Sequence, residues 1–171
     1  MSSMYEKVQA EPKKKKSNKA IGIIVVVTVV LIIVLGITVF IPMIKHNNYW
    51  KMVSGLSTET GNGSEQGTVT CTFEGRTFSL DTDTTYDIYM KLMYREDVDM
   101  DLFPVSAGEG IHIDYGTGGS LDIWPMPFKN KLGTEILGVK ALFIGSDGKK
   151  YSFSTRNLYY NTYADLIRNI Q

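Results

Sequence analysis

The side chains best suited to acid–base or metal chemistry lie around a single histidine, His112. His112 and Asp114 stand two residues apart in an alternating run, which predicts that both side chains share one face of a strand. Asp122 follows in the next apolar run, beyond a Gly-rich turn. Hydrolysis would also need a positioned nucleophile, and zinc would need three or four ligands. No motif in the sequence supplies either, so we predict no catalytic residue, no metal ion and no cofactor.

A second acidic group lies in the segment 96–101, which carries four carboxylates. Calcium binds six to eight oxygen atoms, and an EF-hand loop needs Gly at its sixth position and Glu at its twelfth. Counted from Asp97, those two positions hold Leu102 and Gly108, so the motif fails. The sequence leaves open whether this segment binds calcium in another way or forms an edge strand protected by its charges.

The run Trp124-Pro125-Met126-Pro127-Phe128 is the best candidate for contact with a partner. Two prolines favour an extended chain, and aromatic residues and methionine are enriched at binding hot spots. We therefore predict Trp124, Met126 and Phe128 as partner-binding residues. The alternative is that these side chains close one end of the hydrophobic core, and burial of Trp124 would distinguish the two.

Residues 20–44 form an uncharged run of 25 positions dominated by Ile, Val and Leu. A helix of this length spans roughly 37 Å, and a bilayer core is about 30 Å thick. The run is too long for the core of a cleaved signal peptide, so we predict an uncleaved signal-anchor helix that crosses the lipid bilayer. Tyr49 and Trp50 follow it, where aromatic rings favour the membrane interface.

The flanking charges predict the orientation of this helix. Residues 1–19 hold six lysines, among them Lys13, Lys14, Lys15 and Lys16, against two glutamates, whereas residues 45–171 hold 12 basic against 16 acidic residues. Cytoplasmic flanks carry the excess of basic residues. We therefore expect a cytoplasmic tail at 1–19, with these four lysines at the membrane interface, and an extracytoplasmic C-terminal part. No nucleic-acid-binding motif accompanies the lysines, so we expect no nucleic-acid partner.

Cysteine content bears on the compartment. Cys71 is the single cysteine, so no intramolecular disulfide can form. Small exported eukaryotic domains are often stabilised by several disulfides, so one cysteine suits a bacterial cell surface better.

The amino-acid composition of the exported part changes after residue 67. We expect residues 45–67 to form a juxtamembrane segment and a flexible linker, because 54–67 is rich in Gly, Ser and Thr. Residues 68–171 predict one β-rich domain, an antiparallel sheet or a sandwich, that we expect to fold by itself. The expected strands are 68–73, 76–80, 86–94, 111–115, 121–124, 135–144 and 150–155, and a short helix is expected at 162–170.

These observations predict a membrane-anchored, extracytoplasmic binding module without catalytic activity. Its expected partners are the bilayer, through residues 20–44, and a protein or another component of the cell envelope. Two alternatives stay open at this point: a membrane-tethered hydrolase that uses carboxylates near His112, and an accessory subunit of a larger membrane complex.

Overall fold

The computed structural model describes residues 18–93, 98–105, 109–156 and 158–170. The chain divides into two compact units, one ending at Phe40 and one beginning at Ile41. In chain order the elements are α1 (Asn18–Leu35), a π-helical turn (Gly36–Phe40), α2 (Ile41–Gln66), β1 (Thr70–Phe73), β2 (Arg76–Ser79), α3 (Thr82–Met93), β3 (Asp99–Met100), β4 (Ile111–Asp114), β5 (Ser120–Lys129), β6 (Glu135–Ile144), β7 (Lys150–Thr155) and α4 (Tyr160–Arg168).

The first unit consists of α1 and the π-helical turn. The apolar side chains described here are exposed along its whole length. In the described part of the chain, one helical stretch near the N-terminus is long and apolar enough to cross a membrane. The hydroxyls of Thr28 and Thr38 donate hydrogen bonds to the backbone carbonyls of Ile24 and Val34, so these polar groups are satisfied within the helix.

The second unit contains an antiparallel sheet, and the prediction of such a sheet with a short C-terminal helix is confirmed. Its seven strands, within the described residues, are ordered β2-β1-β4-β5-β6-β7-β3. Side chains of one face join helices α2, α3 and α4 in a single apolar cluster, whose strand members include Cys71, Ile113, Leu121, Phe143 and Phe153. Trp124 and Leu142 are also buried but lie outside that cluster, because they occupy the second face.

The predicted hairpins are present because turn residues stand where the chain must reverse. Glu74 and Gly75 connect β1 to β2 and both have positive φ, 49° and 75°, as a two-residue hairpin turn requires. Gly148 has φ 77° in the turn that joins β6 to β7. In both places the turn sequence sets the register of the strands.

The segment expected to be a flexible linker, 54–67, lies almost wholly within α2. The buried positions of α2, which are Met52, Leu56, Glu59, Thr60 and Gly63, fall on one face of the helix. The glycines allow the helix to approach the sheet closely. A Cβ atom on Gly63 would lie 2.7 Å from the carbonyl oxygen of Tyr115.

The expected strand 86–94 is also helical, because α3 covers Thr82–Met93. Asp81 caps this helix: its Oδ1 accepts a hydrogen bond of 2.7 Å from the backbone N–H of Thr84, and that bond lowers the pKa of Asp81. Ile88 and Leu92, four residues apart, are buried on one helical face. Tyr94 lies outside the described residues.

Glu59 of α2 connects that helix to two turns of the sheet. Its Oε1 accepts a hydrogen bond of 2.8 Å from the backbone N–H of Ser146, and its Oε2 accepts one from the hydroxyl of Thr117. Burial acts to raise the pKa of Glu59, but these hydrogen bonds together outweigh it, and the pKa lies below its ordinary value of 4.5. The charged carboxylate therefore stabilises the fold.

We expect Glu59→Gln to lower the free energy of unfolding by about 1.5–3 kcal/mol at neutral pH, the range for hydrogen bonds to a charged group. Because the pKa of Glu59 is lowered on folding, its contribution is complete above the unfolded pKa and is lost as pH falls through the folded pKa. Denaturant unfolding of variant and wild type should therefore converge in acid. Glu65→Gln, an exposed position of the same helix, is the control. A difference that is constant from neutral pH into acid would contradict this role.

Candidate functional site

A row of polar side chains crosses three strands on the second face of the sheet. Thr72 of β1 lies opposite His112 of β4, and His112 lies opposite Asp122 of β5. Directly opposed residues of antiparallel strands bring their Cβ atoms within about 5.5 Å. The sheet register therefore assembles a hydroxyl, an imidazole and a carboxylate from three separate parts of the sequence.

The centre of this row is the pair formed by His112 and Asp122. Nδ1 of His112 lies 2.6 Å from Oδ1 of Asp122, the distance of a short charge-assisted hydrogen bond. The imidazole N–H donates and the carboxylate accepts, which fixes the orientation of the ring. The His112 side chain is 47% exposed. Its other nitrogen, Nε2, is therefore oriented by the protein while much of the ring remains accessible to a ligand.

These residues line a groove of about 580 Å³. It is lined by Thr72, Phe73, Glu74, Gly75, Glu109, Gly110, His112, Asp122, Trp124, Tyr160 and Arg168. Strands β1, β4 and β5, the β1–β2 turn and helix α4 all contribute to this surface. The groove thus combines aromatic rings with carboxylates, a guanidinium and an imidazole, the groups that orient a ligand by hydrogen bonds and exclude water around it.

Helix α4 forms one wall of the groove and contributes two side chains to it, those of Tyr160 and Arg168. Nη2 of Arg168 lies 2.5 Å from Oε1 of Glu74, and the guanidinium lies over the Phe73 ring, 5.4 Å from its centroid. These contacts hold the end of α4 against the β1–β2 turn. Burial raises the pKa of Tyr160, so its hydroxyl is protonated at neutral pH and can donate a hydrogen bond.

Trp124 forms the floor of the groove rather than an exposed contact, since only 5% of its surface is accessible. Gly110 makes room for the indole: a Cβ atom there would lie 2.7 Å from Cδ1 of Trp124. Of the three predicted partner-binding residues, Met126 and Phe128 are half-buried and can be reached from solvent. The role of all three in partner binding stays a prediction.

The predicted interfacial aromatic residues differ in their surroundings. The hydroxyl of Tyr49 donates a hydrogen bond of 2.9 Å to the carbonyl of Met93, so this ring helps to hold α2 against α3. Trp50 is exposed, and its indole N–H bonds His46. The four lysines predicted at the inner surface, Lys13, Lys14, Lys15 and Lys16, lie outside the described residues.

Within the described ranges, no three His, Cys, Asp or Glu side chains are close enough to hold a metal ion. In the segment 96–101, Asp99 forms an ion pair of 2.6 Å with Lys45. Asp101 accepts a hydrogen bond of 2.7 Å from Ser152. Both carboxylates thus connect β3 to its neighbours, whereas Glu96 and Asp97 lie outside the described residues.

The sequence predicts that His112 and Asp122 lie on neighbouring strands and that Trp124 is a contact candidate, but it gives no site role to the β1 residues of the groove. It also gives no site role to the groove residues of other elements, which are Glu74, Glu109, Tyr160 and Arg168. The one available signal was the β1–β2 turn itself, whose position beside β4 follows from sheet order. The approach of α4 to that turn depends on tertiary packing and leaves no local pattern.

Comparison of the chain with protein-family models, with curated proteins and with solved structures finds no match.

Proposed function

We propose that this protein is a single-pass membrane protein that displays a binding domain outside the cytoplasm. Residues 20–44 anchor it, the tail at 1–19 is cytoplasmic, and the unit beginning at Ile41 captures a protein or another component of the cell envelope. The groove around His112 is the binding site. The basic tail and the apolar run support the orientation through the excess of lysine on the cytoplasmic side.

The single observation that carries the binding role is the convergence of aromatic and charged side chains in one groove. Its carboxylates are Glu74, Glu109 and Asp122, of which Glu74 is paired with the guanidinium and Asp122 is hydrogen-bonded to the imidazole. This balance favours a partner that presents hydrogen-bond donors or a cationic group. Tyr160 and the imidazole of His112 add polar contacts at the same surface.

Hydrolysis is the second candidate, and the Thr72, His112 and Asp122 row favours it because a hydroxyl, an imidazole and a carboxylate stand in the order of a catalytic triad. We prefer binding because the hydroxyl of Thr72 is hydrogen-bonded to that of Thr77 at 2.8 Å. A nucleophile must instead bond the base that activates it.

Cysteine labelling tests the orientation and the binding site together. Thr72→Cys places a thiol in the groove and keeps all three of its carboxylates, and Lys149→Cys places one in the β6–β7 turn. Burial raises the pKa of Cys71 to about 12, so the native thiol does not compete for a maleimide. With a membrane-impermeant maleimide, both variants should be labelled on intact cells. The partner should slow labelling at position 72 about tenfold relative to the purified protein, since only unoccupied sites react.

This experiment has two controls, the thiol at position 149, which lies outside the groove, and a variant in which the groove itself is altered. Labelling at position 149 should proceed equally fast on cells and on purified protein. Adding Asp122→Ala to Thr72→Cys should restore fast labelling on cells, because it removes the carboxylate that orients His112. Labelling only after permeabilisation would contradict the orientation. Equal rates at position 72 on cells and in purified protein would contradict a binding role for the groove.

A further inference from the structure

We propose that the tip of the β5–β6 hairpin, residues 129–135, binds the surface of the membrane that anchors the chain. Leu132 enters the interface, and Lys129 and Lys131 contact anionic lipid headgroups. The inference rests on the proposed function, because it requires the anchor formed by residues 20–44. It goes beyond that function by giving the domain a second attachment to the bilayer and hence a fixed orientation.

The tip is a structured loop that presents one large apolar side chain to solvent. Leu132 is 89% exposed. The Asn130 side chain fixes the loop, since its Oδ1 accepts hydrogen bonds of 2.9 Å from the backbone N–H groups of Leu132 and Thr134. Gly133, with φ 79°, allows the reversal. An exposed leucine beside lysines, held on an ordered loop, suits entry into an anionic lipid interface, where apolar burial and electrostatic attraction add.

The hairpin projects beyond the strands on either side of it. Among the described strands, β4 pairs with β5 no further than Ile123, and β7 pairs with β6 no further than Val139. Pro125 and Pro127 lack the N–H that a second neighbouring strand would need. From Trp124 to the end of β5 the strand extends about 17 Å, at about 3.3 Å per residue.

The N-terminal part of α2 lies level with the base of this projection. Nζ of Lys45 lies 2.6 Å from Oδ1 of Asp99. Asp99 lies opposite Ser154 in β7, and that residue lies opposite Lys140 in β6. Lys140 in turn lies opposite Trp124 in β5.

The C-terminal part of α2 lies at the other end of the sheet, where Glu59 bonds the backbone of Ser146. From Glu59 back to Lys45, α2 therefore runs in the same direction as β5 from Ser120 to the tip. Helix α2 begins at Ile41, inside the last residues of the apolar run. The tip and the point where the chain leaves the membrane thus belong to the same end of this unit.

The charge of the projection matches an anionic surface. Lys129 and Lys131 stand beside Leu132, and Arg156 lies over the Phe128 ring, 5.6 Å from its centroid. One carboxylate, Glu135, lies opposite Lys129. Each lysine near an anionic bilayer strengthens binding about fivefold, so the two together account for roughly thirtyfold.

A fluorescent label at the tip tests this contact in the full chain. Leu132→Cys carries the environment-sensitive dye NBD, and Lys149→Cys, at the opposite end of the sheet, carries it in the control. Each is reconstituted into vesicles of phosphatidylcholine alone or of equimolar phosphatidylcholine and phosphatidylglycerol. In the mixed vesicles, NBD at 132 should shift to shorter wavelength and be quenched by spin-labelled lipid, whereas NBD at 149 should do neither. Lys129→Gln with Lys131→Gln should weaken the bound state roughly thirtyfold.

Three other outcomes would each contradict the proposal at a different point. Solvent-like NBD at 132 in a chain that resists alkaline carbonate extraction rejects the tip contact and leaves the anchor intact. Release of the chain by carbonate rejects the anchor and with it the proposed function. A blue shift without lipid quenching, which grows with the protein-to-lipid ratio, rejects the lipid contact and assigns the tip to a second copy of the chain.

Discussion

A fragment of residues 68–171 is expected to stay unfolded, whereas a fragment of residues 45–171 is expected to unfold cooperatively. The shorter fragment lacks α2, which supplies Met52 and Leu56, both fully buried in the main cluster. Loss of each such side chain costs about 2–5 kcal/mol, and a domain of this size is stable by only about 5–15 kcal/mol. The expectation from composition, that 68–171 folds alone, is therefore revised.

Near-ultraviolet circular dichroism and denaturant unfolding of the two fragments measure this difference. A peptide of residues 45–67, added to the shorter fragment, should restore the near-ultraviolet signal. The same peptide carrying Leu56→Asp should fail to do so, because it places a charge where a fully buried side chain stands. Cooperative unfolding of residues 68–171 alone, with the midpoint of the longer fragment, would contradict the structural role of α2.

The hairpins were predictable because their signals are local. The Glu74-Gly75 and Asp147-Gly148 pairs stand between β-rich runs, and each forms the turn that its residue types favour. Once these turns are placed, the alternation of apolar residues assigns each strand to a face. Most of the sheet follows from these two kinds of information.

Helix α2 was not predictable from composition because its glycines act through tertiary contacts. Glycine disfavours an isolated helix by about 1 kcal/mol, so a Gly- and Ser-rich segment indicates a linker. In the fold, a Cβ atom on Gly55 would lie 2.9 Å from the Phe143 ring. The helical spacing of Met52, Leu56 and Glu59 was present in the sequence, but packing on the sheet is what makes that spacing meaningful.

Helix α3 was predicted wrongly for a different reason, because the spacing of its apolar residues is ambiguous. Apolar residues at alternate positions from Tyr86 to Leu92 fit a strand, yet Ile88 and Leu92 also fit one face of a helix. Tyr86 and Met90 are in fact exposed. The spacing of the apolar residues fits both a strand and a helix, and Asp81, which caps a helix just before the segment, decides in favour of the helix.

The residues of the candidate site were likewise predictable only in part. The closeness of His112 and Asp122 was predictable, because the Gly-rich hairpin brings their two strands together and both residues face one side. The wall formed by Arg168 and Glu74 was not, because the two residues are far apart in sequence and meet only when α4 packs. Local patterns thus predict the strand side of the groove and tertiary packing supplies the rest.

Trp124→Ala is expected to lower the free energy of unfolding of residues 45–171 by about 3–5 kcal/mol, the range for truncating a buried aromatic side chain. The indole is 5% exposed and fits against Gly110, so its removal leaves a cavity beneath the groove. Trp50→Ala is the matched control, because this other tryptophan is exposed and its loss should change stability by no more than about 0.5 kcal/mol.

Denaturant unfolding separates the two possible roles of Trp124 before any partner is identified. In Trp50→Phe, Trp124 is the remaining tryptophan, so its fluorescence reports the floor of the groove directly. A loss of several kcal/mol in Trp124→Ala means that this residue supports the groove from below. Partner contact then depends on residues that reach the surface, such as Met126 and Phe128. A loss no larger than that of Trp50→Ala, together with loss of the protection at position 72 on cells, would instead make Trp124 a direct contact.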